Sequence, residues 1–437
     1  MTKVGSGGRR YIRARQVYAA TDAPPLLDGA VILDGDRIAD VVPASELTDQ
    51  DASVGDYPQG TLLPGLIDAH CHLTLAGDGR SYEQLAAESD AMMAVTSIYN
   101  LQEHLSSGVT TLRDNGGRNL VTFIVREACE RGYFDSPRLL LAGRPVTHTR
   151  GHFHWCNGVA DTPDEIRRAV RQLVAEGADH IKVMASGGGT TGTLPYLSSY
   201  TVEEMEVAVS TAHALHTPTT AHARGKEGIA NAIEAGVDCI EHYEFLVQDE
   251  ASSYGYATDG SSIDYDRKLT QAVLERGMFV SFTMQAGYGR LLHLREQMAG
   301  RVLDADENRM RDALEGYFEA KLDLFRELLR DGLGARMVVS TDAGCGVAGF
   351  GLLHQGLELA VQGGMSPREA IDSVTRVAAM VVGLPDVIGT LTPGKRADLV
   401  VVDGDPLEDI HRMRDVVAVY RDGEQVRTIA AGRELRL

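Results

Sequence analysis

Six residues of the kinds that hold metal ions or move protons stand at the ends of short apolar runs. The first two flank a cysteine in His70-Cys71-His72. Side chains two residues apart in a strand point to the same face, so these imidazoles can hold one ion. The other four are Lys182, His222, His242 and Asp342. A lone histidine at a strand end usually serves structure, but all six together predict a metal site that activates water for hydrolysis.

The runs that carry these residues alternate with longer amphipathic segments, which is typical of βα units around a parallel sheet. Helical segments begin with capping signals, as at Thr201 with Glu204 three residues later. Eight such repeats predict an α/β fold, a closed (β/α)8 TIM barrel over residues 65–385, whose catalytic residues lie at the carboxyl ends of the strands. The predicted strands are 66–71, 109–113, 138–142, 180–185, 218–222, 237–241, 278–283 and 337–341.

The two ends of the chain have a different pattern, with short alternating strands joined by tight turns such as Asp34-Gly35. Neither end has enough apolar residues for a core of its own. We therefore expect residues 1–64 and 386–437 to form one small composite β-sandwich beside the barrel. Residues 252–265 are rich in Ser, Tyr, Gly and Asp, and a surface excursion and a lid over the site are both open interpretations of this loop.

The composition limits the classes of partner that we expect the protein to bind. A formal net charge of -20 disfavours nucleic acid, and no apolar run reaches the roughly 20 residues needed to cross a bilayer. Five scattered cysteines and the lack of an apolar leader indicate a reducing, cytoplasmic location. We expect a small-molecule substrate, no membrane partner and a homo-oligomer.

Five segments match a known family in their order along the chain. They are residues 61–73, which contain Pro-Gly-x-Ile-Asp-x-His-x-His, and residues 108–114, 240–242, 341–343 and 389–399. With them the whole chain resembles the amidohydrolase superfamily, and within it the imidazolonepropionase-like group that includes metal-dependent, prolidase-like dipeptidases acting on Xaa-Pro and Xaa-Arg. The resemblance implies a barrel enzyme with a β-sandwich built from both chain ends.

The same resemblance implies which residues hold metal. His70, His72 and Asp342 would hold one ion, His222 and His242 a second, and Lys182 would bridge the two. An ammonium has no lone pair, so Lys182 can bridge only as a carbamate formed with carbon dioxide. Its apolar sequence neighbours favour the deprotonated lysine that this reaction needs. The alternative is that Lys182 forms a salt bridge or anchors substrate beside a single ion.

Two divalent ions would lower the pKa of a bridging water and polarise the scissile carbonyl. The expected nucleophile is the bridging hydroxide, and Asp342 would carry its proton to the leaving nitrogen. Zinc suits an imidazole-rich site with a carboxylate, while manganese, iron and cobalt stay open.

Four further residues are assigned to the substrate beside His152, which the resemblance places where it can stabilise the oxyanion. Arg150 and His154 lie in the same loop and fit an aromatic or anionic ligand, although His154 has an alternative role in capping that loop. Arg224 can hold a substrate carboxylate bidentately or pair with an acidic residue of a neighbouring loop. Tyr243 stands where glycine is more usual and is expected to narrow the pocket.

The sequence thus predicts a binuclear amidohydrolase that cleaves an amide-like C–N bond in a dipeptide, an N-acyl amino acid or a cyclic amide. Alternatives on the same site are hydrolytic deamination of a heterocycle, which Lys182 disfavours, and cleavage of an ester, a carbamate or an organophosphate. A non-catalytic scaffold on this fold is a further alternative, which the complete set of six ligands disfavours.

Overall fold

A computed structural model describes residues 9–249 and 260–426. The strands within these ranges are β1 (Arg10–Val17), β2 (Leu26–Asp34), β3 (Arg37–Pro43), β4 (Ala52–Pro64), β5 (Leu66–Cys71), β6 (Val109–Asp114), β7 (Arg138–Leu141), β8 (Ile181–Met184), β9 (Thr219–Gly225), β10 (Cys239–Gln248), β11 (Ser261–Ile263), β12 (Phe279–Phe282), β13 (Met337–Val339), β14 (Leu399–Asp403), β15 (Val416–Arg421) and β16 (Glu424–Gln425).

The helices between them are α1 (Tyr82–Ala86), α2 (Asp90–Ser106), α3 (Val121–Glu130), α4 (Pro163–Ala175), α5 (Val202–His213), α6 (Lys226–Ala235), α7 (Arg267–Glu275), α8 (Tyr288–Met298), α9 (Ala305–Arg330), α10 (Leu353–Gln362), α11 (Pro367–Ser373) and α12 (Arg376–Val381). The capping box predicted for α5 is present, because the Thr201 side chain accepts from the backbone of Glu204 and the Glu204 side chain accepts in return. Short 3₁₀ segments are Ala44–Glu46, His154–Cys156, Leu333–Arg336 and Ile410–Arg414.

Eight parallel strands alternate with helices, and each overlaps one of the eight predicted runs. They form a five-stranded sheet in the order β13-β12-β10-β9-β8 and a three-stranded sheet in the order β5-β6-β7. Single parallel bridges, Cys71 to Ala343 and Val146 to Val183, connect the two sheets at their two seams. The α/β class with a parallel sheet is confirmed, whereas a continuous ladder closed into a barrel is not.

The parallel strands are apolar because helices cover them. Every residue of β5, β6, β8 and β9 is buried, as expected for strands of a parallel sheet with both faces covered. Charged residues in these strands therefore stand out, since they are kept from water and must be paired or hold an ion.

The chain ends share a separate sheet in the order β16-β15-β14-β4-β1-β2-β3. Strand β14 pairs antiparallel with β4, with Leu399 opposite Pro64, so the two ends meet as predicted. Its apolar cluster includes Ile12, Leu62 and Tyr420. The predicted two-sheet sandwich is not confirmed, because the described strands of both ends lie in this one sheet.

Most of the polar loop at 252–265 lies outside the described residues, which resume at Gly260. Its last part forms β11, which pairs antiparallel with β10. Within the described ranges, no helix combines the length and apolar character needed to span a membrane.

Candidate metal centre

All six predicted ligands lie in the parallel strands or just after them and are buried. His70, Lys182, His222 and His242 belong to β5, β8, β9 and β10, and His72 and Asp342 follow the ends of β5 and β13. Parallel strands bring their carboxyl ends to one edge, so residues far apart in sequence converge there. The convergence predicted from the strand ends is present.

The first group is His70, His72 and Asp342, whose potential ligand atoms lie within 4.8 Å of one another. His72 donates through Nδ1 to the Gly116 carbonyl at 3.0 Å, because a carbonyl can only accept. Its Nε2 therefore carries a lone pair, and that lone pair lies 3.6 Å from Oδ1 of Asp342. His70 has Nε2 3.3 Å from the same oxygen.

The other nitrogen of His70, Nδ1, lies 2.7 Å from Oε2 of the buried Glu241. A carboxylate only accepts, so this nitrogen carries the proton and the Nε2 lone pair faces Asp342. Two imidazole nitrogens with lone pairs and a carboxylate oxygen thus lie within 4.8 Å of one another. A cation fits this arrangement and removes the repulsion.

The second group is the pair His222 and His242. His222 donates from Nε2 to the Gly187 carbonyl at 3.0 Å, and the opposite nitrogen, Nδ1, lies 2.8 Å from Nε2 of His242. Nδ1 of His242 is held by the Thr283 hydroxyl at 2.8 Å. Each ring therefore has an outer nitrogen fixed by a protein group and an inner nitrogen facing its partner, as in metal-binding histidines.

Burial keeps these rings neutral. It holds the pKa values of His72, His222 and His242 well below the usual histidine range, and the positive charge of Lys182 adds to the effect. Neutral imidazole is the form that ligates a metal. At neutral pH these histidines are therefore in the form that binds metal ions.

Lys182 is fully buried, and within the described ranges its Nζ has no hydrogen-bond partner. Burial lowers the pKa of Lys182 to about 8, against the opposing charges of Glu241 and Asp342. A lysine in this state has an appreciable neutral fraction at physiological pH, which is the reactive form of the amine. No carboxylate in the described ranges pairs with its Nζ, so the salt-bridge alternative has no partner here.

Glu241 is a part of the site to which the sequence analysis gave no role. Beyond His70, its carboxylate accepts from Nη2 of Arg113 at 2.8 Å and from the Thr220 hydroxyl. Burial raises the pKa of Glu241, but the interaction with His70 and the charges of Arg113 and Lys182 outweigh it and keep the pKa well below the usual range. The sequence signal for a role of Glu241 was its position beside His242 in a buried strand, because a buried acidic residue needs a partner.

The backbone at the site is strained. His242, Tyr243 and Asp342 have φ values of 67°, 57° and 58°, in the left-handed region that side chains other than glycine rarely adopt. Such residues cost about 1–3 kcal/mol each and concentrate at functional sites. A hydrogen bond holds the left-handed backbone of Asp342 in place, because the Asp342 N–H donates to the His70 carbonyl at 2.9 Å.

A cavity of about 240 Å³ opens over this centre. Its lining includes His72, His222, His242 and Asp342 among the proposed ligands, together with His152 and Arg224. A small molecule in this cavity would therefore meet the ligand cluster directly. The size suits a compact substrate rather than a folded protein.

His152, the candidate oxyanion donor, lines the cavity. Its Nδ1 lies 2.8 Å from the Thr190 hydroxyl, which also accepts from the backbone of Phe153 at 3.1 Å. A Thr190 hydroxyl that donates to Nδ1 leaves Nε2 of His152 as the donor. Burial, with the charges of Lys182 and Arg224, lowers the pKa of His152 to about 3, so the ring is neutral.

Arg224 has one of the two roles that the sequence left open, the pairing with an acidic residue. Its Nε donates to Oε2 of Glu244 at 2.6 Å and its Nη2 to the Tyr317 hydroxyl at 3.1 Å, so an acidic partner is present. It nevertheless lines the cavity. The side chain is held rigidly beside the ligand cluster.

Three predicted substrate residues do not line the cavity. Tyr243 is completely buried, packs against Phe245 and has its hydroxyl 3.3 Å from that of Thr270, because the left-handed backbone at His242 and Tyr243 interrupts the alternation of β10 and turns Tyr243 towards α7. Arg150 is exposed, in a left-handed turn. His154 has Nδ1 3.0 Å from the carbonyl of Gly151, which matches its alternative role as a loop cap.

Most of the cavity lining was absent from the sequence analysis, including Tyr82 and Arg290. Tyr82 lies at the start of α1, with its ring edge-on to that of Phe153 at 5.4 Å. Arg290 lies in the first turn of α8, at an exposed position. Both come from segments outside the strand ends, and no spacing rule places such segments over the site.

Comparisons with known proteins agree with this architecture. A model of the amidohydrolase family matches residues 61–435. The ochratoxinase of Aspergillus niger is 26% identical over 431 residues, covering 91% of this chain and 82% of its own. The imidazolonepropionase of Salmonella schwarzengrund is 25% identical over 440 residues, covering 92% and 93%.

Solved structures with the same fold include a Xaa-Pro dipeptidase with methionine bound in its active site. It is 27% identical, with a TM-score of 0.80 over 96% of this chain and 99% of its own. The structure of the Aspergillus niger ochratoxinase superimposes with a TM-score of 0.77 at 25% identity, covering 96% of each chain.

Proposed function

Because the chain belongs to the amidohydrolase family, we propose that it is a metal-dependent enzyme that hydrolyses an amide-like C–N bond in a small molecule. The observation that carries the proposal is the set of acceptors facing one another at His70, His72 and Asp342. A divalent cation satisfies these groups together. Enzymes named for cleaving such bonds are among the relatives, including the ochratoxinase, the imidazolonepropionase and the Xaa-Pro dipeptidase.

Two divalent ions, zinc by preference, fit the donors present. His70, His72 and Asp342 would hold one and His222 and His242 the other, with a carbamate on Lys182 as the shared ligand. The chemistry that such ions supply is a water of lowered pKa and a polarised carbonyl. The lone buried Nζ of Lys182 supports the carbamate, because it has the neutral amine that carboxylation requires.

The protein groups have separable roles. Asp342 takes up the proton of the attacking water at a carboxylate oxygen and passes it to the leaving nitrogen. Burial raises the pKa of Asp342, although His70 and Lys182 act against the shift, and a raised pKa suits a group that must hold and release a proton. His152 donates from Nε2 to the oxyanion, and Arg224 holds an anionic group of the substrate.

The substrate classes that we propose are dipeptides, N-acyl amino acids and cyclic amides. Deamination of a heterocycle is a weaker candidate, because a deaminase that uses one metal has no need for a second histidine pair and a buried lysine. We also propose the finer architecture: a closed (β/α)8 barrel over residues 65–385 with a composite β-domain from 1–64 and 386–437. We also propose that the protein is a homo-oligomer located in the cytoplasm.

The test is a panel of N-acyl amino acids and dipeptides with purified protein, before and after exhaustive chelation and after zinc is restored. We expect hydrolysis that is lost on chelation and recovers with the ion. Full activity of metal-free protein would refute the proposal. The variant Asp342→Asn, which keeps the side-chain volume, controls for a contaminating hydrolase.

A further inference from the structure

A buried ion cluster lies directly behind the cavity wall. Glu244 is completely buried and accepts from Nε of Arg224 at 2.6 Å and from Nζ of Lys321 at 2.8 Å. Lys321 is also completely buried, and its Nζ donates to the Thr283 carbonyl at 2.7 Å. One carboxylate therefore holds two cations from different parts of the chain.

The long helix α9 supplies half of this cluster. Tyr317 and Lys321 are four residues apart and so lie on the same face of the helix. The Tyr317 hydroxyl accepts from Nη2 of Arg224 at 3.1 Å, while Nζ of Lys321 sits 5.9 Å from the Tyr317 ring centroid. Arg224 is thus clamped between Glu244 and α9, with two of its nitrogens in fixed positions.

The cluster also reaches the ligand histidines. Thr283, whose carbonyl accepts from Lys321, holds Nδ1 of His242 through its hydroxyl at 2.8 Å. After His242, β10 leaves its regular register with β9, and Phe245 has a φ of 55°. Left-handed backbone at such residues persists only where the surrounding contacts hold it.

We propose that Glu244 is a positioning residue, which with Lys321 and Tyr317 fixes the Arg224 guanidinium at the cavity wall so that it binds the carboxylate of the substrate. The inference rests on the proposed function. A buried ion pair is an expensive way to stabilise a fold, since apolar replacements often match or exceed its stability. In this cluster Arg224 and Lys321 share the Glu244 carboxylate, and Arg224 also lines the cavity. The cluster can therefore contribute to substrate binding.

The test compares two amides that differ only in the carboxylate: N-acetyl-L-phenylalanine and N-acetylphenethylamine. In Glu244→Gln we expect KM for the first to rise by about 10- to 100-fold, the range for a hydrogen bond to a charged group. We expect kcat, and both constants for the neutral amide, to stay within about threefold, which is under 1 kcal/mol. Arg224→Met should show the same split, and the double variant should be no worse than Arg224→Met.

A merely structural role for Glu244 predicts losses shared by both amides, and that result would overturn the inference. The surface variant Glu234→Gln, which is expected to leave both amides unaffected, is the matched control. If Glu244→Gln does not fold, Tyr317→Phe removes the hydroxyl that bonds to Arg224 and to Glu244 and should raise KM for the carboxylate substrate alone. Unchanged KM in that variant contradicts the proposal.

A crystal structure of Glu244→Gln, or of Tyr317→Phe in its place, separates this inference from the proposed function. If the unaltered protein hydrolyses neither amide, the proposed substrates fail, while the position of Arg224 in the variant still answers the question. A guanidinium displaced from the cavity wall supports the positioning role. A guanidinium in its original place refutes it.

Discussion

Glu241 is the residue whose replacement separates the metal centre from an ordinary buried ion pair. Its carboxylate is completely buried and is shared by Nη2 of Arg113 at 2.8 Å and Nδ1 of His70 at 2.7 Å. The near-isosteric Glu241→Gln removes the charge and leaves Arg113 uncompensated. Breaking a buried pair from one side costs about 3–5 kcal/mol of unfolding free energy. The amide also no longer fixes the His70 tautomer, which should weaken metal binding by about 10- to 100-fold.

Two measurements check this prediction. Urea denaturation of the metal-free protein gives the free energy of unfolding, and titration against a zinc-binding dye gives the metal affinity. The control is Glu234→Gln, in a half-exposed pair with Arg276, where we expect a change of unfolding free energy within about 0.5 kcal/mol. If Glu241→Gln lowers stability but leaves the zinc affinity unchanged, Glu241 does not support a ligand, and the assignment of His70 is wrong.

Three further predictions follow from the same contacts. Asp342→Asn should lower kcat by about 10²- to 10⁴-fold, the usual share of acid–base catalysis; hydrolysis at the original rate would exclude Asp342 as the proton carrier. Gly188→Ala places a methyl group 2.6 Å from Nε2 of His152 and should lower kcat with little change in the melting temperature; an unaffected rate would argue against His152 as oxyanion donor. Burial and the bond to Asp331 raise the pKa of Tyr265 from 10.0 to about 12, so its contribution to stability is present below pH 10 and is lost as the pH rises towards 12; denaturation curves over that range should show the loss in the unaltered protein and less of it in Tyr265→Phe.

The strand ends were predictable because their chemistry is local. His70 and His72 stand two residues apart in a buried run, and Lys182 is a charge between apolar neighbours, so each is visible within a short window of sequence. The topology of parallel strands then brings them together. The six candidate ligands and the eight parallel strands needed no further information.

The walls of the cavity depend on contacts that no short window contains. Tyr243 follows a ligand in sequence, yet it lies in the core, and Glu244 reaches Arg224 instead, because the left-handed backbone at His242 and Tyr243 interrupts the alternation of β10. The partner of Glu244 on α9 is 77 residues away along the chain. The single sheet formed by the chain ends is a similar case, because its order follows from pairings between β4 and β14 that apolar alternation alone does not specify.

The central claim is a pair of metal ions held by these six residues. Crystals of the native protein, with diffraction recorded on both sides of the zinc absorption edge and elemental analysis of the same preparation, test it most directly. The account predicts two anomalous peaks, one beside His70, His72 and Asp342 and one beside His222 and His242, with extra density for a carbamate on Lys182 between them. Native protein without a bound transition metal, with Lys182 unmodified, would contradict it.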